Sequence, residues 1–99
     1  MSEPTEQRLT IVDLHDAGGD YHHLTAILKV SGDLVLEGQD LGAGVKSVFG
    51  DSDFEYWRTV KAEHVPQVLL HLLKDRFQTD FEFKRWLEEK GIPSEFTCF

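Results

Sequence analysis

The chain has 99 residues, a formal net charge of −8 at pH 7, 40% hydrophobic residues and 11% aromatics. That is the length of one domain with enough apolar material for a single core, which argues against wholesale disorder; the negative charge opposes a phosphate backbone and disfavours a nucleic-acid partner. No apolar run approaches the roughly 18 residues of a membrane span, MSEPTEQR lacks the order of a signal peptide, and one cysteine, Cys98, supports neither an internal disulfide nor a cysteine-based zinc cluster, so a cytoplasmic protein is expected.

Residues 1–7 are polar, contain Pro4 and show no periodicity, which predicts a mobile N-terminal tail before a single domain over 8–99. Residues 8–15 predict a first strand, with Leu9 and Ile11 on one face and Thr10, Val12 and Leu14 on the other. The pair Gly18 and Gly19 between Asp16 and Asp20 turns the chain into the stretch 21–39, YHHLTAILKVSGDLVLEGQ, which contains two strands and their turn. In it Leu24, Ala26, Leu28 and Val30 share one face, and Tyr21, His23, Thr25, Ile27 and Lys29 share the other; after Ser31, Gly32 and Asp33, Leu34 and Leu36 lie opposite Val35, Glu37 and Gln39. A three-residue loop, setting Val30 against Leu34 and Leu28 against Leu36, keeps the apolar faces together and is the expected register.

Residues 38–53, with Gly38, Gly42, Gly44 and Gly50, predict a long connection in which Val45, Val48 and Phe49 have helical spacing. Residues 54–61, FEYWRTVK, predict a fourth strand with Phe54, Tyr56 and Val60 on one side and Trp57 on the other beside Glu55 and Thr59, leaving Trp57 or Tyr56 as candidates for exposure. Near Ala62 the period becomes helical, with Val65, Val68, Leu69, Leu72 and Leu73 in one stripe and Pro66 confined to the first turn. A second helix begins near Asp80 behind the capping-box pattern Thr79 to Glu82, and Gly91, Ile92 and Pro93 stop it. Residues 95–99 allow a short C-terminal strand. The expected fold is therefore α+β: a four-stranded antiparallel meander with two C-terminal helices packed on one face.

The pattern around Gly42, Gly44, Lys46 and Ser47 departs from a phosphate loop because Val45 separates glycine from lysine, and Asp51, Asp53 and Glu55 lack the glycine and terminal glutamate of a calcium loop. His15, His22 and His23 with Asp16 and Asp20 form the most metal-like group, although His22 and His23 must point to opposite faces of a strand. They support an alternative function as a metal-dependent enzyme or metal sensor. His64 and His71 lie seven apart, and Cys98 reads as a small packing residue; nothing brings a nucleophile and a base together, so no catalytic residue and no cofactor is assigned.

SGDLVLEGQDLG, GDSDFEYW, HVPQVLLHLL and WLEEKGIPSEF together resemble a family of small uncharacterised bacterial proteins, over most of the chain from Gly32 onward. The resemblance implies a bacterial cytoplasmic origin and one compact domain, and carries over no functional residue.

Charge is unevenly spread. Residues 13–55 hold nine acids against Lys29 and Lys46, whereas residues 56–99 balance. In a meander the 16–20 and 38–53 connections leave the sheet at one end, which gathers Asp13, Asp16, Asp20, Glu37, Asp40, Asp51 and Asp53 there. The expected function is a non-enzymatic acidic module, monomeric and comparable to an immunity or inhibitor protein, that binds a basic protein through Asp16, Asp20, Glu37, Asp40, Asp51, Asp53 and Trp57. The competing explanation is an acidic surface that only maintains solubility.

Overall fold

In the computed structural model, residues 5–15, 18–42 and 53–98 are described. Strands β1 (Gln7–His15), β2 (Tyr21–Leu28), β3 (Leu34–Leu41) and β4 (Asp53–Val60) are followed by a 3-10 turn (Ala62–His64) and helices α1 (Val65–Arg76) and α2 (Asp80–Glu89). The strands form one open antiparallel sheet in the order β1-β2-β3-β4. The chain divides into two compact units, Met1–Pro66 and Gln67–Phe99. No helix among the described residues is long and apolar enough to cross a membrane.

Strand alternation gives the sheet an apolar face bearing Leu24, Ala26, Leu28, Leu34, Leu36, Phe54, Tyr56 and Val60, and a polar face bearing His23, Thr25, Glu37, Gln39, Glu55 and Trp57. Two expectations about alignment are corrected. In β1 the register steps from Thr10 opposite Thr25 to Val12 opposite Leu24, so Ile11 is an extra residue. Such a bulge reverses parity, and Leu9, Val12 and Leu14 therefore share the apolar face instead of being divided. At the β2–β3 turn Leu28, not Val30, lies opposite Leu34. Five residues, 29–33, and not three separate the two strands; within them the Lys29 amide donates to the Asp33 carbonyl at 2.8 Å and the Gly32 amide to the Lys29 carbonyl at 2.9 Å, with Gly32 at φ 93°. The slip is two residues, so the faces survive it.

Burial also departs from expectation. The most buried apolar residues are Ile27 (2% exposed) and Val35 (6%), with Thr25 at 7%, all on the polar face. Around them Arg8 of β1 lies beside Ile27, Glu37 of β3 beside Thr25, and an Arg8–Glu37 ion pair of 3.3 Å reaches across β2, while Val35 lies between Ile27 and Thr59.

Gly38, expected to open the long connection, sits inside β3, which runs to Leu41. It lies opposite Tyr56, and a Cβ built there would collide with the Tyr56 ring. A glycine is needed because the ring crosses the backbone. The helix expected around Val45, Val48 and Phe49 lies outside the described residues.

The 3-10 turn is held from the hairpin: Asp33 Oδ1 accepts the Ala62 amide at 2.8 Å, and Lys61 Nζ stands 3.6 Å from Asp33 Oδ2. In the second unit, Thr79 Oγ1 accepts the Glu82 amide at 3.1 Å and donates to Glu82 Oε1 at 3.4 Å, closing the N-terminus of α2. At its other end Gly91 takes φ 70°, Ile92 N donates to Leu87 O at 2.9 Å and Gly91 N to Glu88 O at 3.1 Å, the paired bonds of a Schellman stop. Phe77, Phe83 and Trp86 cluster with centroids 5.2–6.3 Å apart, Phe83 stacked on Trp86 and Phe77 edge-on to Trp86. Residues 92–98 have no regular structure, so the C-terminal strand does not form among the described residues, and Cys98 is exposed instead of packed.

Candidate functional site

The polar face of the sheet supplies the site. Alternation in β4 sends Asp53, Glu55, Trp57 and Thr59 to that face, and the β3–β4 register sets Glu37 opposite Trp57 and Gln39 opposite Glu55. Trp57 remains 59% exposed. A groove of about 250 Å3 runs between these side chains, bounded by Arg8, His23, Glu37, Gln39, Glu55 and Trp57. Its carboxylates are oriented by neighbours: Gln39 Nε2 donates to Glu55 Oε1 at 3.3 Å and to Asp53 Oδ1 at 3.5 Å, and Arg8 Nη2 donates to Glu37 Oε2 at 3.3 Å. Arg8 is shared with Glu6, whose carboxyl is held below its ordinary value by hydrogen bonds from Lys29 and then Arg8.

Farther along the same face, Asp13 lies between two imidazoles, 3.2 Å from His15 Nε2 and 3.4 Å from His23 Nδ1, while His23 Nε2 contacts Thr25 Oγ1 at 2.9 Å. Tyr21 packs against both rings, 4.6 Å from His15 and 5.9 Å from His23. His22 points to the apolar face and pairs there with Asp40, beside Tyr56, whose phenol is pushed above its ordinary value by burial and then by the Asp40 carboxylate. The three histidines are thus divided between the two faces. Among the described residues no group of three or more histidine, cysteine, aspartate or glutamate side chains could hold a metal ion.

The expected acidic set is distributed as follows. The β1–β2 and β3–β4 connections do leave the sheet at one end, where His15, Tyr21, Leu41 and Asp53 form the last paired row. Asp20 is beside Gly42 at that end. Glu37, Asp53 and Trp57 share the polar face, Glu37 and Trp57 in mid-strand; Asp40 is on the opposite face, and Asp16 and Asp51 lie outside the described residues. Alternation already placed Glu55 beside Trp57. The contributions of Arg8, His23 and Gln39 were not legible, since they depend on registers across three strands. Comparison with protein-family models, curated proteins and solved structures finds no match.

Proposed function

We propose that the chain is a non-enzymatic, cytoplasmic binding module that recognises a basic protein, in the manner of an immunity or inhibitor protein. One observation carries it: an exposed indole, Trp57, stands on a sheet face with Glu37 directly opposite and Glu55 and Asp53 on the same side of its own strand. A lysine or arginine side chain laid over the indole gains a cation–π contact of about 0.5–1 kcal/mol and meets carboxylates at its charged end. Formal charge of −8 adds a long-range field that accelerates encounter with a cation at low salt.

The test is a titration with tetra-arginine followed by NMR, reading the Trp57 indole N–H and the backbone amides of β3 and β4. Expected are saturable shifts that shrink as salt rises and shrink further in Glu37→Gln/Glu55→Gln. Shifts of equal size in that variant, or none in the wild type, would remove the proposal.

A further inference from the structure

The sheet is open, and its two edges differ. The β1 edge carries the Ile11 bulge, which breaks regular pairing with another strand. The β4 edge pairs with β3 in unbroken register from Asp53 to Val60, and Glu55, Trp57, Arg58 and Thr59 along it are exposed. An even, exposed edge is a template for another strand.

We infer that β4 pairs with β4 of a second copy of this chain, antiparallel about a two-fold axis at Trp57. An axis normal to the sheet keeps each face continuous across the pair, so only residues of equal parity can oppose one another. With Trp57 on the axis, Trp57 meets Trp57, Tyr56 meets Arg58, Phe54 meets Val60 and Asp53 meets Lys61, whose φ −66° and ψ 150° continue the extended backbone. The arrangement sets aromatic against aromatic, guanidinium beside phenol ring, apolar against apolar and carboxylate against ammonium, each pair except the axial one occurring twice. The neighbouring alignments are poorer. Tyr56 on the axis opposes Glu55 to Trp57 and Arg58 to Phe54; Arg58 on the axis pairs Glu55 with Lys61 but places two guanidiniums together and sets Trp57 against Thr59. Charge complementarity therefore selects the occupant, a second copy, and the pairing of aromatic and apolar residues without facing guanidiniums selects the register.

Two chains of −8 each repel, which opposes association at low salt and is screened within about 10 Å at 0.1 M ionic strength. The dimer consequently strengthens as salt rises, whereas binding of a basic partner weakens. The inference does not rest on the basic-partner proposal, and opposite salt dependences keep the two failures distinguishable.

Sedimentation velocity over a concentration series at low and high salt is the first measurement, with a concentration-dependent dimer, larger at high salt, as the expected result. Register is read by mild oxidation in a Cys98→Ser background: Trp57→Cys forms an interchain disulfide across the axis, while Thr59→Cys, which faces Glu55, does not. Lys61→Asp weakens association about tenfold because symmetry repeats the lost pair, and adding Asp53→Lys restores it. A monomer under all conditions, equal cross-linking at 57 and 59, or a dimer indifferent to Trp57→Lys would each overturn the inference.

Discussion

The two units of the chain are held in different ways. In the first, the buried positions Thr25, Ile27 and Val35 lie on the two central strands, and Arg8 reaches Glu37 across β2, a bond between residues 29 apart in sequence. In the second, α2 is closed by bonds between residues three to five apart, Thr79 with Glu82 and Ile92 with Leu87, and by the rings of Phe77, Phe83 and Trp86. Burial within nonlocal strand pairing makes the centre of the sheet sensitive to single deletions, while local closure distributes the helical unit's stability over small separate contributions.

The largest effect that sharpens this contrast is expected at Ile27. Ile27→Ala removes buried methyl groups from the middle of the sheet and should destabilise it by about 3 kcal/mol, read by urea denaturation. Leu9→Ala, at a side chain 73% exposed, should change stability by less than about 0.5 kcal/mol. An equal loss in both would mean that sensitivity does not follow burial at the centre of the sheet. Next in size is Gly38→Ala, expected to cost about 2 kcal/mol because the Tyr56 ring must move. Combining it with Tyr56→Leu should recover most of that loss, which identifies the ring as the cause.

What the sequence made legible follows the same division. The capping box at Thr79 and the Gly91 stop are encoded in a few adjacent residues, and the structure forms both. Faces within β2, β3 and β4 were also legible, since alternation is a property of one strand. Register was not: neither the Ile11 bulge nor the five-residue loop is marked by any residue type that a plain strand or a shorter turn forbids. The candidate site inherits that difficulty. Trp57 with Glu55 emerges from one strand, but the meeting of Trp57 with Glu37 depends on the β3–β4 pairing, and Asp40 parted from the acidic set because it faces the other way. Gly38 was the overlooked signal, for a glycine between strand-like residues marks a close approach as readily as a loop.

In the helical unit the expected effects are smaller. Thr79→Ala removes the acceptor for the Glu82 amide and should cost about 1 kcal/mol, seen as faster hydrogen exchange in the first turn of α2. Gly91→Ala places a Cβ at φ 70° and should cost about 1 kcal/mol, with exchange accelerating at Ile92. If either substitution abolished the helix outright, closure would be concentrated at that one contact and the contrast with the sheet would fail.

The smallest effect concerns the acid limb of stability and tests a place where the first unit is also closed by a side-chain acceptor. The Asp33 carboxyl is held below its ordinary value of 3.8, chiefly by the hydrogen bond from the Ala62 amide and further by Lys61. A carboxyl depressed in the folded state favours folding fully above its unfolded value, and that contribution fades as pH falls through the lower, folded one. Carbon NMR of the Asp33 carboxyl should therefore titrate below 3.8, and exchange at Ala62 should accelerate over the same acid range. Asp33→Asn retains an acceptor oxygen but no titrating charge, so its Ala62 exchange should lose this step, apart from the direct effect of pH on exchange chemistry. An Asp33 that titrates at or above 3.8 would show that the turn is not tied to the 3-10 helix through an ionised carboxylate.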